Sequence, residues 1–208
     1  MNLANKLTIT RICLVPAFIL FMELHTFCSS ILALAVFIAA SVTDLLDGQI
    51  ARRRNTITQM GIFLDPLADK LLISAAFICF VDIRALAIPA WMVIAVISRE
   101  FLITGLRSIA AAKNVIIPAD KAGKFKTTSQ IVVIILILVI LIVHEYFLKY
   151  YGISPQLLTA FDGGSYRTFA LIIQRTPFWA ALVTTVLTIY SGCHYMWKHK
   201  DLLKDKNA

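Results

Sequence analysis

Six long apolar runs limit the chain to very few folds. A helix needs about 20 residues to cross the hydrocarbon core of a bilayer, and each run is long enough. Within lipid only helices and closed barrels satisfy the backbone, and these runs are continuous rather than alternating. The sequence therefore predicts an all-α polytopic membrane protein with six transmembrane helices, at 7–24, 31–51, 62–81, 85–112, 127–147 and 178–196.

The 208 residues are 59% hydrophobic, whereas a soluble domain is about half apolar. This length and composition predict a single membrane domain, 1–208, with no separate soluble domain. The net charge of +8 is typical of basic loops that face anionic lipid. No basic patch interleaved with aromatic residues lies outside the apolar runs, so we expect no nucleic-acid partner.

The basic residues indicate the orientation, because cytoplasmic loops of membrane proteins are enriched in lysine and arginine. If both termini are cytoplasmic, 14 of the 20 lysines and arginines lie inside and four lie outside. The predicted location is thus a bacterial cytoplasmic membrane, with both termini inside. The segment 148–177 then lies outside, and we expect an irregular surface loop or a short interfacial helix there.

Four aspartates lie inside these runs, where ionisable groups are costly and usually functional. Asp44 and Asp47 are three residues apart near the inner end of the second run, and Asp65 and Asp69 are four apart in the first turns of the third. Each pair shares a helix face, and Pro66 is interpreted as part of a helix start. A short turn joins the two runs, so both pairs are expected to face one cleft near the cytoplasmic side.

Four carboxylates this close repel each other unless cations hold them. Oxygen ligands without histidine or cysteine select hard divalent ions, and four carboxylates suit two ions better than one. Paired metal ions commonly serve in-line displacement at phosphorus. The aspartates therefore predict a site for two divalent metal ions, Mg²⁺ or Mn²⁺, that handles a phosphate substrate.

The residues between the two pairs fit a phosphate ligand. Gly48 and Gly61 are disfavoured inside a helix unless something approaches closely. Ala51 lies four residues after Asp47 on the same helix face, and its small side chain leaves space there. Arg52 can bind a phosphate with two hydrogen bonds. Each residue alone also has a simpler interpretation, namely helix packing for the glycines and membrane orientation for the arginine.

The segment from 44 to 69 reads D-x2-D-G-x2-A-R-x8-G-x3-D-x3-D. It resembles, at every specified position and spacing, the motif of the CDP-alcohol phosphatidyltransferase family. The resemblance implies six transmembrane helices, a homodimer, two divalent metals near the cytoplasmic face, and transfer from a CDP-linked donor with release of CMP. It also implies that Asp44, Asp47, Asp65 and Asp69 bind the metals and that Asp69 is the catalytic base. The cytidine diphosphate pocket would be lined by Asp47, Gly48, Ala51, Arg52 and Gly61.

Over nearly its whole length the chain further resembles the bacterial phosphatidylglycerophosphate synthases within that family. The opening N-K-L-T-I-T-R, the S-R-E at 98–100 followed by Arg107, and the G-K-F-K-T at 123–127 are similar to segments of that group. The resemblance implies CDP-diacylglycerol as donor, glycerol 3-phosphate as acceptor, and a donor head-group contact by Asn5 and Thr8. Ala4 departs from the group, where proline is common.

A cluster of cationic residues supports a phosphorylated acceptor independently of the resemblance. Arg99 lies inside the fourth run and requires an anionic partner, and Arg107, Lys124 and Lys126 lie on the same cytoplasmic side. A dianion such as glycerol 3-phosphate suits such a pocket. Alternatively, Arg99 pairs near Glu100 or with a metal carboxylate, and the lysines contact lipid alone.

Two other functions remain open at this level. The acceptor could be inositol phosphate, serine or phosphatidylglycerol, and the charges do not separate inositol phosphate from glycerol 3-phosphate. The chain could also be a divalent-cation transporter, which would place carboxylates near the bilayer midplane and continue polar groups to the other side. The aspartates instead stop near one face, and binding of CMP would distinguish an enzyme from a transporter.

Overall fold

A computed structural model describes residues 3–54, 59–112, 121–152 and 164–198 of the chain. In these residues it contains six α-helices, one short 3₁₀ helix and no strand. The predicted all-α fold is therefore confirmed for the described ranges. The helices are α1 (Leu3–Glu23), α2 (Phe27–Arg54), α3 (Gln59–Asp82), α4 (Ala90–Ala112), α5 (Lys121–Tyr151) and α6 (Gly164–Lys198), with the 3₁₀ helix at Arg84–Leu86.

Two of these helices are long and apolar enough to cross a membrane, over Lys126–Tyr151 in α5 and Ala170–Lys198 in α6. The apolar part of α2, Phe27–Thr43, is shorter. Large apolar side chains are exposed along these helices, among them Val132 and Ile172, and such a surface suits lipid better than water. The structure thus supports a membrane protein, and the number of six spanning helices stays a prediction.

The core lies between α1, α2, α3 and α5, with additional side chains from α4 and α6. Phe18 of α1 packs on Phe37 of α2 with ring centroids 6.0 Å apart. Phe77 and Phe80 of α3 are fully or almost fully buried in the same cluster, together with Ile137 of α5. This packing fixes α2 and α3, the two helices that carry the predicted metal site.

The start of α2 is set by a pair of reciprocal hydrogen bonds. The backbone N–H of Thr26 donates to Ser29 Oγ at 3.1 Å, and the N–H of Ser29 donates to Thr26 Oγ1 at 3.2 Å. This arrangement satisfies backbone donors that a helix start leaves without partners. These hydrogen bonds explain why the helix begins at Phe27, whereas the apolar run predicted a start at residue 31.

The prediction of a loop or short interfacial helix over 148–177 is wrong for most of the described part of that segment. Helix α5 continues to Tyr151, and α6 begins at Gly164 and runs through Pro177 without ending. Ala170 and Ile173 are buried in this extension, so packing favours helix where the polar composition indicated a loop. Residues 153–163 lie outside the described ranges.

Two other boundaries differ from the apolar runs. Helix α3 begins at Gln59, so Pro66 is not in the first turn and its interpretation as a helix start is wrong. Helix α4 begins at Ala90 rather than at 85. The 3₁₀ helix and Ala87, whose φ of 51° is left-handed, redirect the backbone before Pro89.

Candidate active site

The four predicted metal ligands occupy matching levels of two neighbouring helices. Asp44 and Asp47 lie in the second half of α2, and Asp65 and Asp69 lie in the first half of α3. Helices α2 and α3 contact each other, and only residues 55–58 separate their ends in the sequence, which is typical of an antiparallel helix pair. The structure gives the helix positions of these aspartates, and their side chains lie outside the described part.

The spacing along the helices is nearly symmetric. Asp44 precedes the end of α2 by ten residues and Asp69 follows the start of α3 by ten. At 1.5 Å per residue, each lies about 15 Å from the connected helix ends. Asp47 and Asp65 lie seven and six residues from the same ends, or roughly 10 Å. An antiparallel pair therefore has two levels, with one aspartate from each helix at each level.

The other residues assigned to the donor are also placed on these helices or on α1. Gly48, Ala51 and Arg52 follow Asp47 in α2, and Gly61 precedes Asp65 in α3. Asn5 and Thr8 lie in the first turns of α1, which contacts both α2 and α3. The side chains of this group lie outside the described part, so their predicted contacts with the donor stay predictions.

The acceptor side of the site is described in side-chain detail, and its centre is Glu100 of α4. Lys126 Nζ of α5 donates a hydrogen bond to Glu100 Oε1 in an ion pair, and Gln130 Nε2 donates to the same oxygen at 3.3 Å. Arg99 Nη1 lies 3.9 Å from Glu100 Oε2. Among the described side chains, two cations and one amide thus converge on one carboxylate, which leaves one positive charge in excess.

Lys126 is the most buried of these charged groups, with a side chain 4% exposed. The alternative that Lys126 contacts only lipid is therefore wrong, and the alternative that Arg99 lies beside Glu100 is correct. Helix α5 also contacts α3, the helix that carries the predicted catalytic base Asp69.

Arg99 and Arg107 are both held by α6. Arg99 Nη2 donates to Ser191 Oγ at 2.9 Å. Arg107 Nε donates to Tyr195 Oη at 3.4 Å, and its guanidinium carbon lies 5.6 Å from the centroid of the Tyr195 ring. The structure thus brings Arg99, Arg107 and Lys126 to one region between α4, α5 and α6. Lys124 lies in the first turn of α5, and its side chain lies outside the described part.

The sequence suggests Glu100 as a neighbour of Arg99 but does not reveal that Lys126 pairs with Glu100 or that Tyr195 contacts Arg107. A carboxylate in an apolar run requires a cationic partner, which could have identified Glu100. No local pattern in the sequence indicates that α6 packs on α4 at Arg99 and Arg107, because that contact joins residues about 90 positions apart.

A different acidic group lies at the opposite end of the bundle. Ligand atoms of Glu23, His25 and Asp82 lie within 4.8 Å of one another, and all three residues are exposed. They occupy the end of α1, the turn before α2 and the end of α3, far along the helices from Asp44 and Asp69. This group is therefore not the predicted metal site.

A family model described as CDP-alcohol phosphatidyltransferase matches residues 1–187. The chain belongs to the CDP-alcohol phosphatidyltransferase family. The match includes the whole segment from 44 to 69 that carries the resemblance in the sequence. Membership in this family is thus confirmed, and α1 to α5 and the first two thirds of α6 are the part that the family model describes.

Curated relatives show which members of the CDP-alcohol phosphatidyltransferase family the chain is similar to. A Bacillus subtilis (strain 168) protein is 48% identical over 143 residues, which are 63% of this chain and 73% of the relative. A Rickettsia bellii protein is 32% identical over 191 residues, 91% of this chain and 92% of the relative. An Escherichia coli K12 protein is 38% identical over 136 residues, 63% and 73% of the two chains. Each is named CDP-diacylglycerol–glycerol-3-phosphate 3-phosphatidyltransferase.

CDP-alcohol phosphatidyltransferases generally use divalent metals, and the residues of this chain fit that chemistry. The stretch from 44 to 69 offers four carboxylates and contains no histidine or cysteine, a donor set suited to hard ions such as Mg²⁺ and Mn²⁺. The paired levels on α2 and α3 allow carboxylates from both helices to share each ion.

Proposed function

We propose that the chain transfers the phosphatidyl group of CDP-diacylglycerol to glycerol 3-phosphate, giving phosphatidylglycerophosphate and CMP. The observation that carries the choice of acceptor is the excess positive charge around Glu100. Arg99 and Lys126 share this one carboxylate, and Arg107 lies on the same side of the bundle. A phosphate monoester dianion compensates such a surplus, whereas a neutral alcohol does not. The names of the relatives support the same reaction.

The reaction suits a protein embedded in the membrane from which it takes its donor. We propose a single membrane domain over 1–208, with six spanning helices in a bacterial cytoplasmic membrane. Both termini and the active site would face the cytoplasm, the aqueous side from which the soluble glycerol 3-phosphate would enter. The distribution of basic residues supports this orientation. Assembly as a homodimer is part of the proposal because the family resemblance implies it.

Asp44, Asp47, Asp65 and Asp69 would hold two divalent metal ions, Mg²⁺ or Mn²⁺. When bound, the ions supply Lewis-acid stabilisation of negative charge on the pyrophosphate oxygens. Gly48, Ala51 and Gly61 would leave room for the cytidine diphosphate beside Asp47. Arg52 would bind a phosphate with two hydrogen bonds, and Asn5 and Thr8 would contact the lipid head group of the donor.

The chemical step is an in-line displacement at phosphorus. Asp69 takes the proton from the sn-1 hydroxyl of glycerol 3-phosphate, and the hydroxyl oxygen forms a bond to the phosphorus attached to diacylglycerol. The bond from that phosphorus to the bridging oxygen of CMP breaks, and CMP leaves with the electron pair. Arg52 stabilises the charge that develops on the leaving phosphate. Arg99, Arg107, Lys124 and Lys126 hold the phosphate of the acceptor.

Other acceptors remain alternatives within the same chemistry. Inositol phosphate carries the same dianionic group and fits the same charges. Serine and phosphatidylglycerol lack a phosphate monoester, so the surplus charge disfavours them. A divalent-cation transporter is disfavoured by the family match, since the relatives bear transferase names.

The test is CMP release by the purified full-length protein in nanodiscs. CDP-diacylglycerol and Mg²⁺ or Mn²⁺ are supplied with glycerol 3-phosphate, inositol phosphate, serine or phosphatidylglycerol as sole acceptor, and EDTA serves as the control. We expect metal-dependent release with glycerol 3-phosphate alone. Release with another acceptor would overturn the choice of acceptor, and no release by folded protein with any acceptor would overturn the transferase assignment.

A further inference from the structure

Three residues of α6 form a stripe that faces two arginines of α4. Ser191, Gly192 and Tyr195 lie within one helical turn, and each contacts or adjoins Arg99 or Arg107. Arg99 and Arg107 are eight residues apart, about two turns of α4, so they lie on the same helix face. The stripe lies beyond residues 1–187, which the family model matches.

Gly192 is required by the path of the Arg99 side chain. A Cβ atom at Gly192 would lie 2.7 Å from Arg99 Cγ and 3.2 Å from Arg99 Nε. Both distances are shorter than van der Waals contact, so any larger residue forces the arginine to move. The closest atom is Cγ, near the base of the Arg99 side chain, so relief of the clash requires a different χ1 rotamer of Arg99. The expected result is a displaced guanidinium.

Ser191 and Glu100 fix the end of the same guanidinium. Ser191 Oγ accepts from Nη2 at 2.9 Å, and Glu100 Oε2 lies 3.9 Å from Nη1. Nε is buried against Gly192 and has no hydrogen-bond partner among the described residues. Arg99 is thus held by its neighbours on two sides, and the side chain is 12% exposed, which leaves an edge for a ligand.

Tyr195 holds Arg107 in a comparable way. The tyrosine is buried and packs with Ile103 and Leu106 of α4, so its ring is rigidly placed. Its hydroxyl accepts from Arg107 Nε, and its face lies against the guanidinium, a favourable cation–π geometry. Arg107 itself is exposed, and the contact to Tyr195 restricts where its remaining N–H donors point.

We propose, on the basis of the transfer reaction proposed above, that Ser191, Gly192 and Tyr195 are positioning residues for the acceptor phosphate. They act through Arg99 and Arg107, orienting both guanidinium groups before the ligand arrives. Preorganised donors bind a phosphate more tightly, since less freedom is lost on binding. The stripe therefore sets the affinity for the acceptor and leaves the affinity for CDP-diacylglycerol to α2 and α3.

The decisive variant is Gly192→Ala, and Gly105→Ala is its matched control. Both glycines lie inside helices, and a Cβ at Gly105 meets nothing within 4 Å. Alanine is the better helix former, so neither change weakens the helix itself. We expect Gly192→Ala to raise KM for glycerol 3-phosphate by about ten-fold, the equivalent of one lost hydrogen bond to a charged group. KM for CDP-diacylglycerol and the melting temperature should match those of Gly105→Ala.

Direct binding provides a second measurement that does not depend on turnover. Calorimetric titration of glycerol 3-phosphate into the full-length protein should show weaker binding by Gly192→Ala and Ser191→Ala than by Gly105→Ala. Tyr195→Phe, which keeps the ring, should show a smaller loss. Ser191→Ala removes one oxygen and carries the test if Gly192→Ala does not fold.

The outcomes separate this role from simple packing and from failure of the proposed reaction. Equal KM and binding values for Gly192→Ala and Gly105→Ala would overturn the positioning role. A similar rise in both KM values together with a lower melting temperature would also overturn it, since loosened packing has that effect. Absence of transfer by the unmodified protein would overturn the proposed function instead.

Discussion

Glu100 is the residue on which the described site depends, because a single carboxylate holds several neighbours. It pairs with the buried Lys126, accepts from Gln130 and lies beside Arg99. Removing one partner of a buried ion pair leaves the other charge buried without compensation. The loss of stability then exceeds the net stabilisation that the intact pair provides. Glu100 therefore matters for stability as well as for the position of the cations.

Glu100→Gln should destabilise the protein and weaken acceptor binding, and Glu145→Gln is the matched control. The two carboxylates are equally shielded, with side chains 14% and 15% exposed, but Glu145 pairs with His144. Loss of the Lys126 partner should cost about 3 kcal/mol, a fall of roughly 6 °C in melting temperature for a chain of this size. Thermal unfolding in detergent measures it. Equal melting temperatures for the two variants would show that the Lys126 pair contributes no more than the pair of Glu145 with His144.

Asp69 is the residue to which the chemistry is assigned. Asp69→Asn keeps the size of the side chain but removes the proton acceptor. We expect turnover to fall by at least about 100-fold, the contribution typical of a positioned base, while CMP and CDP-diacylglycerol still bind. Normal CMP release by this variant would refute the assignment of the base.

At the scale of elements, α5 and α6 are longer than a bilayer requires. Their 31 and 35 residues span about 46 and 52 Å, against a hydrocarbon core of about 30 Å. Helix α6 also passes through Pro177, which removes one backbone hydrogen bond. Both helices therefore extend into the interfacial regions, and their ends report which side of the membrane they reach.

Cysteine labelling tests this arrangement in a background with the four native cysteines replaced by alanine. Tyr151→Cys and Lys198→Cys lie at exposed ends of α5 and α6. We expect a membrane-impermeant maleimide to label Tyr151→Cys in intact cells and Lys198→Cys only after permeabilisation. Labelling of both positions from the same side would contradict a single crossing by α6.

Elements with strong apolar patterns could be predicted from the sequence, whereas their ends could not. The cores of all six helices follow from the runs, and the prediction that four aspartates bind metal follows from charge within the predicted spans. The sequence predicts an irregular loop or a short interfacial helix over 148–177, which contains Gly163 and Gly164. Helix wins because Ala170 and Ile173 bury against the bundle, a tertiary effect that composition does not reveal. The contact of Ser191 with Arg99 likewise depends on how α4 and α6 pack.

At the scale of the whole molecule, the two ends of the bundle differ in chemistry. One end carries the motif of α2 and α3 and the cations around Glu100. The other carries a cluster of aromatic rings with a lysine among them, formed by Phe27, Tyr146, Phe147, Lys149, Tyr150 and Tyr151. Aromatic residues of this kind favour the membrane–water interface. We therefore expect the reaction at the end that carries the motif.

Metal removal should loosen the whole bundle if α2 and α3 share the ions. A ligand at 100 times its Kd stabilises a folded protein by about 2.7 kcal/mol, so EDTA should lower the melting temperature and Mg²⁺ or Mn²⁺ should restore it. Asp47→Asn should reduce this response. Asp82→Asn, which alters the acidic group at the other end, should keep it. The reverse pattern would place the metals at that other end.

The surplus charge around Glu100 also has a consequence for the end of the catalytic cycle. In the proposed reaction, the phosphate that Arg99 and Lys126 would attract is not altered, because the new bond forms at the opposite end of the acceptor. The same phosphate therefore remains in the pocket as part of the product. A higher affinity for the acceptor phosphate would therefore slow release of the lipid product by a similar factor. A pocket in which Glu100 competes with the phosphate for the cations binds the phosphate moderately. Moderate binding suits rapid turnover better than the tighter binding expected without the carboxylate.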